Sequence, residues 1–327
     1  MFRALVTGAN GFVGSHLVEK LIGQGVEVRC LVRQSSNLQW IDTSKVSFVY
    51  GDVSDYESLI AAVQDVDVVY HLAGRTSALN ENEYESVNVQ GTKNLIEAVN
   101  QYNPKIKRFL FVSSQAAGGP SKKDEPLDEK SPSNPVTPYG RSKLSAEKIL
   151  WSYQDRIPLT IIRAPSIFGP RDKDFMMLFK MINRGVIPML GFKERRYSLV
   201  YIQDLVDGIW QASRHPSAVN QMYYLASYES ISWELFCQTI GQIFGKKGMP
   251  LFLPMSFFDV AVVIMDLCSK IKRKPTVMNI SKIPEFTARY WVCRSQKAKH
   301  DFNFKSQDAL SICIEKTVNW YQDQGWL

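Results

Sequence analysis

Tyr139 and Lys143 stand four residues apart in Tyr139-Gly140-Arg141-Ser142-Lys143. On a helix that spacing puts both side chains on one face. A free tyrosine, with a pKa of roughly 10, is a poor base near neutrality. A neighbouring ammonium favours the phenolate. Bringing the phenol to about 7 takes roughly 4 kcal/mol of differential interaction, and Lys143 can supply part of it. Ser113 and Ser114 end an apolar run that reads as a strand. The carboxyl ends of parallel strands are where such sheets bind ligands, and a serine hydroxyl there can hold a substrate oxygen beside Tyr139. Together these groups can move a proton to or from that oxygen.

A second pattern says what could move the accompanying hydride. The chain opens with a strand-like run that ends in Thr7-Gly8-Ala9-Asn10-Gly11-Phe12-Val13-Gly14. Gly8 allows a tight turn, Gly11 admits a pyrophosphate close to the backbone, and Gly14 lets the next helix pack on the sheet. The positive end of that helix, at Asn10, Phe12 and Val13, then faces the phosphates. Three glycines can also be a plain turn, but these follow a strand and open a helix. The second strand ends in Leu31-Val32-Arg33. A carboxylate there would bind ribose hydroxyls, whereas Arg33 offers a fork of donors to a 2′-phosphate. NADP(H) is therefore expected over NAD(H), although a surface arginine at a strand end is common. Asp52 can accept from the adenine amino group, Val53 can pack on that ring, and Leu72-Ala73-Gly74 lets backbone approach the cofactor. Lys143 would also hold the nicotinamide ribose. The positive charge of the oxidised nicotinamide would favour the Tyr139 phenolate further.

The elements that must position these residues alternate. Strands are expected at 2–7, 26–32, 46–50, 68–71, 108–113, 159–163 and 222–226. Helices are expected at 11–23, 56–63, 83–101, 139–153 and 204–213. Short β-branched strands alternating with helices imply an α/β fold with a Rossmann-type, doubly wound parallel sheet. Residues 1–165 form the dinucleotide-binding domain in this reading, with 199–226 returning to it. Residues 166–198 and 227–327 form a smaller, mainly helical substrate lobe. Residues 118–138, rich in Pro, Ser and Lys, read as a long loop over the sheet edge.

Composition narrows the class. The 327 residues are 45% hydrophobic and 22% charged, which excludes a wholly disordered chain or a collagen. The net charge of +7 permits an acidic cofactor, nucleic acid or a membrane surface and selects none of them. The five cysteines are far apart and odd in number, which argues against a zinc site or a disulfide framework. The four histidines are scattered, so no metal is expected. The first strand starts at once, so no cleaved signal is expected, and the protein reads as cytoplasmic.

These motifs resemble the extended short-chain dehydrogenase/reductase family, the NAD-dependent epimerase/dehydratase superfamily. The resemblance is carried by the glycine loop, Asp52-Val53, His71-Leu72-Ala73-Gly74, Val112-Ser113-Ser114, the Tyr139–Lys143 motif, Arg163-Ala164-Pro165-Ser166-Ile167-Phe168-Gly169-Pro170 and Asp204. It implies a catalytic set of Ser114, Tyr139 and Lys143, with Tyr139 as acid/base. It places Ser113 and Pro165, with Tyr139 and Lys143, among the cofactor contacts. It also makes a homodimer through two helices an expectation. Nucleotide-sugar enzymes of this family usually have Asn where Ser166 stands, and an Arg where spacing from Asp204 places Tyr197. Both departures weaken the sugar-nucleotide reading, and the Arg-x-Pro-x-Ile-Phe-Gly-Pro-Arg-Asp motif at 163–172 together with Arg33 is more similar to the branch containing 3β-hydroxysteroid dehydrogenases and dihydroflavonol reductases. The expected activity is therefore an NADP(H)-dependent oxidoreductase acting on a carbonyl or hydroxyl of an apolar, steroid- or flavonoid-like ring. The alternative is a nucleotide-sugar epimerase or dehydratase with tightly bound NAD(P). A non-catalytic, RNA-binding or cofactor-sensing relative is a minor alternative; no nucleic-acid partner is expected.

Two patches remain. Lys193, Arg195 and Arg196 read as a solvated loop or a phosphate contact. Residues 251–268 are nearly all apolar, and a lysine-rich stretch follows to 274. On a helix Asp259, Asp266, Lys270 and Arg273 share one narrow polar stripe. Carboxylates in mid-membrane cost ~2.5–3.5 kcal/mol each, which argues against a spanning helix. The segment 251–274 reads as a helix packed in the lobe or at a dimer contact, as a peripheral membrane helix with a basic anchor, or as a lid over an apolar substrate.

Overall fold

The computed structural model describes residues 2–123, 125–272, 275–276 and 279–327. The strands are β1 Arg3–Thr7, β2 Glu27–Val32, β3 Val46–Tyr50, β4 Val68–His71, β5 Arg108–Ser114, β6 Leu159–Ala164, β7 Ser166–Phe168, β8 Val186–Leu190, β9 Arg196–Tyr201, β10 Gln221–Tyr224, β11 Tyr228–Ser232, β12 Met249–Leu253 and β13 Tyr290–Trp291. Seven of them form one sheet in the order β10-β6-β5-β4-β1-β2-β3. Every pairing in it is parallel. The chain leaves β1 for β2 and β3 on one side and crosses to β4, β5 and β6 on the other. The crevice at that reversal is where a doubly wound sheet holds its ligand.

Alternation along β1 builds both layers. Ala4 and Val6 point into one core with Leu17, Leu21, Val206 and Ile209, while Leu5 points into the other with Leu59, Leu95 and Val99. Burial on both faces explains why the inner strands β1, β4, β5 and β6 are mostly apolar. The expected helix at 83–101 is divided. A short turn at Glu81–Tyr84 passes through a π-helical stretch, Glu85–Gln90, into the helix Gly91–Tyr102.

After β6 the chain turns at Pro165 and β7 joins a second, four-stranded sheet. There β9 pairs β7 and β13 in parallel and β11 antiparallel. The segment 199–226 is therefore split between sheets. The strand at 199 belongs to the second, while the helix Ile202–Arg214 and β10 belong with the first. Strands β8 and β12 form a separate parallel pair. The region 118–138 is clamped as well as loop-like. Leu127 exchanges backbone hydrogen bonds with Val292 and Arg294.

The apolar segment departs from its expectation. Residues Met255–Lys272 are helical, but the side turned inward is a narrow stripe of Phe258, Val262, Asp266 and Ser269. The oily side faces outward, with Phe257 70%, Ile264 57%, Leu267 59% and Ile271 74% exposed. The expected polar stripe is thus turned toward the protein, with Asp259 half-buried. Asp266 lies inside and pairs at its rim with Lys270 at 2.8 Å. Arg273 and Lys274 lie outside the described residues. Among the described residues no helix is long and apolar enough to cross a membrane.

Candidate active site

The glycine loop adopts the geometry that its composition requires. Gly8 has φ +70°, and a Cβ there would lie 2.7 Å from the Ala73 nitrogen. A Cβ on Gly14 would lie 2.0 Å from the Gly8 carbonyl oxygen. The Gly11 N–H donates to the Gly8 carbonyl at 3.0 Å, closing the turn. The helix Phe12–Gly23 then begins with no side-chain cap and no acid in its first turn. Its free N–H groups and positive end fit a pyrophosphate. Val53 is buried, and Asp52 and Arg33 stand together at the neighbouring strand ends, 3.9 Å apart. Arg33 remains 63% exposed along its side chain, so its guanidinium is free to meet a ligand. Leu72, Ala73 and Gly74 border the same crevice, with the Ala73 N–H donating to the Thr7 hydroxyl at 3.1 Å. The residues present fit a dinucleotide.

Tyr139 and Lys143 sit on the helix Pro138–Trp151. The Thr137 hydroxyl caps that helix, accepting from the Gly140 N–H at 3.1 Å, and Pro138 occupies its first turn. The Lys143 ammonium is buried. It donates to the Val112 carbonyl at 3.0 Å and lies 4.6 Å over the Phe111 ring. A Cβ on Gly74 would come within 3.3 Å of it, so it borders the cofactor crevice. Burial pulls the Lys143 pKa down to about 8, and Glu147 opposes the shift. Burial likewise pushes the Tyr139 phenol up, while the Ser114 hydroxyl pulls it down. Ser114 therefore reaches the Tyr139 phenol, and Lys143 lies buried on the same helix with its ammonium on the Val112 carbonyl.

Ser113 is placed differently from the expectation. Its hydroxyl donates to Glu147 at 2.5 Å in a buried network. Adjacent residues on a strand point to opposite sides, so only Ser114 reaches Tyr139. Glu147 also pairs with Arg163 at 2.6 Å, with both side chains almost fully buried. Arg163 in turn donates to the Tyr224 hydroxyl at 2.9 Å and to Ser133 at 2.8 Å. This network fixes the Tyr139 helix against β5, β6 and β10. Asn88 does the same from the cofactor side, donating to Ser142 at 2.9 Å and to the Arg75 carbonyl at 3.0 Å. Pro165 is buried at the turn out of β6, and Ser166 beyond it is exposed.

Two further charges reach the site from residues that carried no chemical signal in the sequence. The Lys282 ammonium lies 5.4 Å over the Tyr139 ring, on a residue only 7% exposed. Glu285 presents a buried carboxylate oxygen with no hydrogen-bond partner, and its charge opposes ionisation of Tyr139. Tyr84 packs on Tyr139 with ring centroids 6.1 Å apart. Glu147 was legible in principle, four residues after Lys143 on one helical face. Lys282 and Glu285 were not, because their contact with Tyr139 spans some 140 residues of chain with no periodicity to betray it. Arg195 is neither solvated nor available for phosphate. It is buried and donates to the carbonyls of Leu190, Phe286 and Ala288. A cavity of about 660 Å³, walled in part by Lys193, Trp233, Lys246 and Phe252, lies in the second lobe and is not lined by the Tyr139 set.

Comparison with known proteins fits this arrangement. The chain is 29% identical to N-acetyl-alpha-D-glucosaminyl-diphospho-ditrans,octacis-undecaprenol 4-epimerase of Escherichia coli O157:H7, over 97% of this chain and 95% of that protein. It is 30% identical to UDP-glucose 4-epimerase of Vibrio cholerae, over 77% of this chain and 78% of that one. Its fold matches UDP-glucuronic acid 4-epimerase of Bacillus cereus, solved with UDP-glucuronic acid and NAD. The TM-score is 0.80 at 22% identity, covering 99% of this chain and 100% of that one. These relatives are named for sugar substrates, and that overturns the expectation of a steroid- or flavonoid-like ring and of the corresponding branch. The physical reason lies in the site. Lys282 and a bare Glu285 oxygen line it, and an apolar ring would leave such groups unpaired. Ser166 and Tyr197 were single positions read without the lobe that surrounds them. The sequence model of the NAD dependent epimerase/dehydratase family matches residues 4–226, and this protein, with its glycine-loop crevice at the end of a doubly wound sheet, belongs to that family of enzymes.

Proposed function

We propose that the protein is a sugar epimerase, inverting a hydroxyl-bearing carbon of a sugar attached to a diphosphate. The observation that carries this reading is the reach of the similarity. The E. coli 4-epimerase matches over 97% of the chain, beyond the family match at 4–226 and through the residues that would face a substrate. Inversion rather than loss of water is the reaction named for that relative.

The bound nicotinamide would take up the hydride and return it to the opposite face. Tyr139 removes the hydroxyl proton and later gives it back, and Ser114 orients that oxygen. Lys143 holds the ribose and brings positive charge beside the phenol, countering the effect of burial. Lys282 and Glu285 hold the polar groups of the sugar. The exposed guanidinium of Arg33 supports NADP(H) over NAD(H) as the cofactor, and paired dissociation constants for NADP⁺ and NAD⁺ test that preference.

The test is an assay with substoichiometric cofactor. UDP-N-acetylglucosamine and N-acetylglucosaminyl diphosphoundecaprenol are offered separately, and the 4-epimer is followed by NMR. Conversion is expected with no net change in reduced cofactor. Tyr139→Phe is expected to slow it by roughly 10²–10⁴-fold, with cofactor binding retained. Oxidation or reduction in step with cofactor consumption, or full turnover by Tyr139→Phe, overturns the reading.

A further inference from the structure

The helix Met255–Lys272 is amphipathic in the wrong direction for a protein that meets only water. It buries Asp266 and Ser269 and exposes Phe257, Ile264, Leu267 and Ile271. Phe192, 77% exposed, stacks on Phe252 at 5.3 Å beside the start of this helix and continues the apolar surface. Met255 and Gly191 are neighbours there. Large contiguous apolar surface of this kind marks an interaction site.

Charge identifies the occupant. Lys270 and Lys272 are exposed on the last turn of the helix. Lys193, Lys246 and Lys247 rim the cavity of about 660 Å³ that opens beside Phe192 and Phe252. The acids nearby are engaged or turned in. Asp266 is buried against Lys270, Asp259 is half-buried, and Glu194 pairs with Arg196 at 2.7 Å. Glu234, exposed at the cavity wall and bonded only to Gln238, is the exception among them. A second copy of the chain on this face would set lysine against lysine, and lysine is depleted in the cores of protein interfaces. An apolar face bordered by lysines fits the interfacial layer of a bilayer carrying anionic lipids.

We propose that the outer face of Met255–Lys272, together with Phe192 and Phe252, docks the protein on an anionic lipid surface. The helix lies flat, with its side chains in the acyl boundary and the lysines among the headgroups. Its inner side packs on the residues that furnish the site, with Phe258 against Phe286 at 5.6 Å. The docked surface therefore stands about one helix diameter, ~10 Å, from the segment carrying Lys282 and Glu285. A substrate held by a lipid would reach Tyr139 without leaving the bilayer. Docking stands independently of the sugar chemistry proposed above, because it is read without turnover.

The experiment uses the full chain and large vesicles of phosphatidylcholine, alone or with about 30% phosphatidylglycerol. At ~0.1 M salt the protein is expected to sediment with the anionic vesicles, and at ~1 M salt several-fold less. Combined Phe257→Ser, Ile264→Ser and Leu267→Ser should weaken partitioning at least about tenfold. These side chains are exposed, so the melting temperature and cofactor affinity should hold. A second readout needs no substitution. Cys268 is exposed within this helix while Cys30, Cys237, Cys293 and Cys313 are buried, so a polarity-sensitive thiol dye on Cys268 should shift to the blue with anionic vesicles. Three results overturn the proposal: wild-type protein left in the supernatant with an unshifted dye, a triple variant that sediments like wild type, or a dimer in light scattering that the triple variant converts to monomer without any vesicle binding.

Discussion

The crevice at the end of the seven-stranded sheet and the 251–287 region obey opposite rules. In the crevice the buried Glu147 and His71 side chains have their partners within the chain. Glu147 is saturated by Arg163 and Ser113, and His71 bridges Thr7 at 2.7 Å and Thr92 at 2.9 Å. The 251–287 region turns carboxylates inward and apolar side chains outward, and brings Lys282 and Glu285 to Tyr139 without binding them to each other. The first region is organised around its own interior. In the reading proposed above, the second is organised around things outside the chain, a substrate on one side and a lipid surface on the other. That difference predicts which substitutions cost stability and which cost binding.

The largest effect is expected in the first region. Glu147→Ala leaves Arg163 buried without its carboxylate, and breaking such a pair costs about 3–5 kcal/mol. Denaturant melts should show this directly, and a loss under 1 kcal/mol would mean that water or relaxation replaces the pair. Lys143→Met sharpens the comparison by moving the other way. The Lys143 pKa of about 8 lies below its ordinary value of 10.5. The folded chain thus binds that proton less tightly than the unfolded one, and stability rises as pH climbs from 8 toward 10.5. The substitution removes this cost, so it should stabilise the protein at pH 7 by up to about 3 kcal/mol while abolishing turnover. The gain should vanish near pH 10.5, and a gain that does not change with pH would rule out this origin. The smallest effect on stability belongs to Lys282→Met, within about 0.5 kcal/mol. Its substrate KM should rise about tenfold with cofactor affinity unchanged. A stability loss like that of Glu147→Ala would place Lys282 in the core economy of the fold instead.

The legible parts of the molecule were those in which local pattern and chemistry coincide. Short apolar runs located all seven strands of the main sheet; the inner strands β4, β5 and β6 admit little else because both their faces are buried, while the edge strand β3 is half-exposed. The glycines at 8 and 14 were legible because a Cβ at either would strike backbone. Tyr139 and Lys143 were legible through the helical period. Ser113 was misplaced because two adjacent serines look alike until the pleat assigns each to a side. The 251–268 segment was recognised as amphipathic, but its orientation was not determined by its period. Periodicity says which residues share a face and not which face meets protein.

Sequence by itself therefore determined the doubly wound sheet and the glycine loop, and it placed Tyr139 and Lys143 on one face of a helix, because each of these follows from local pattern. Tertiary structure alone decided that Ser113 and Arg163 converge on Glu147, that Lys282 and Glu285 close over Tyr139, and that the apolar side of 255–272 faces outward. Each of these is a contact or an exposure set by chain segments far apart in order. Their energies come from burial, and burial is a property of the assembled molecule.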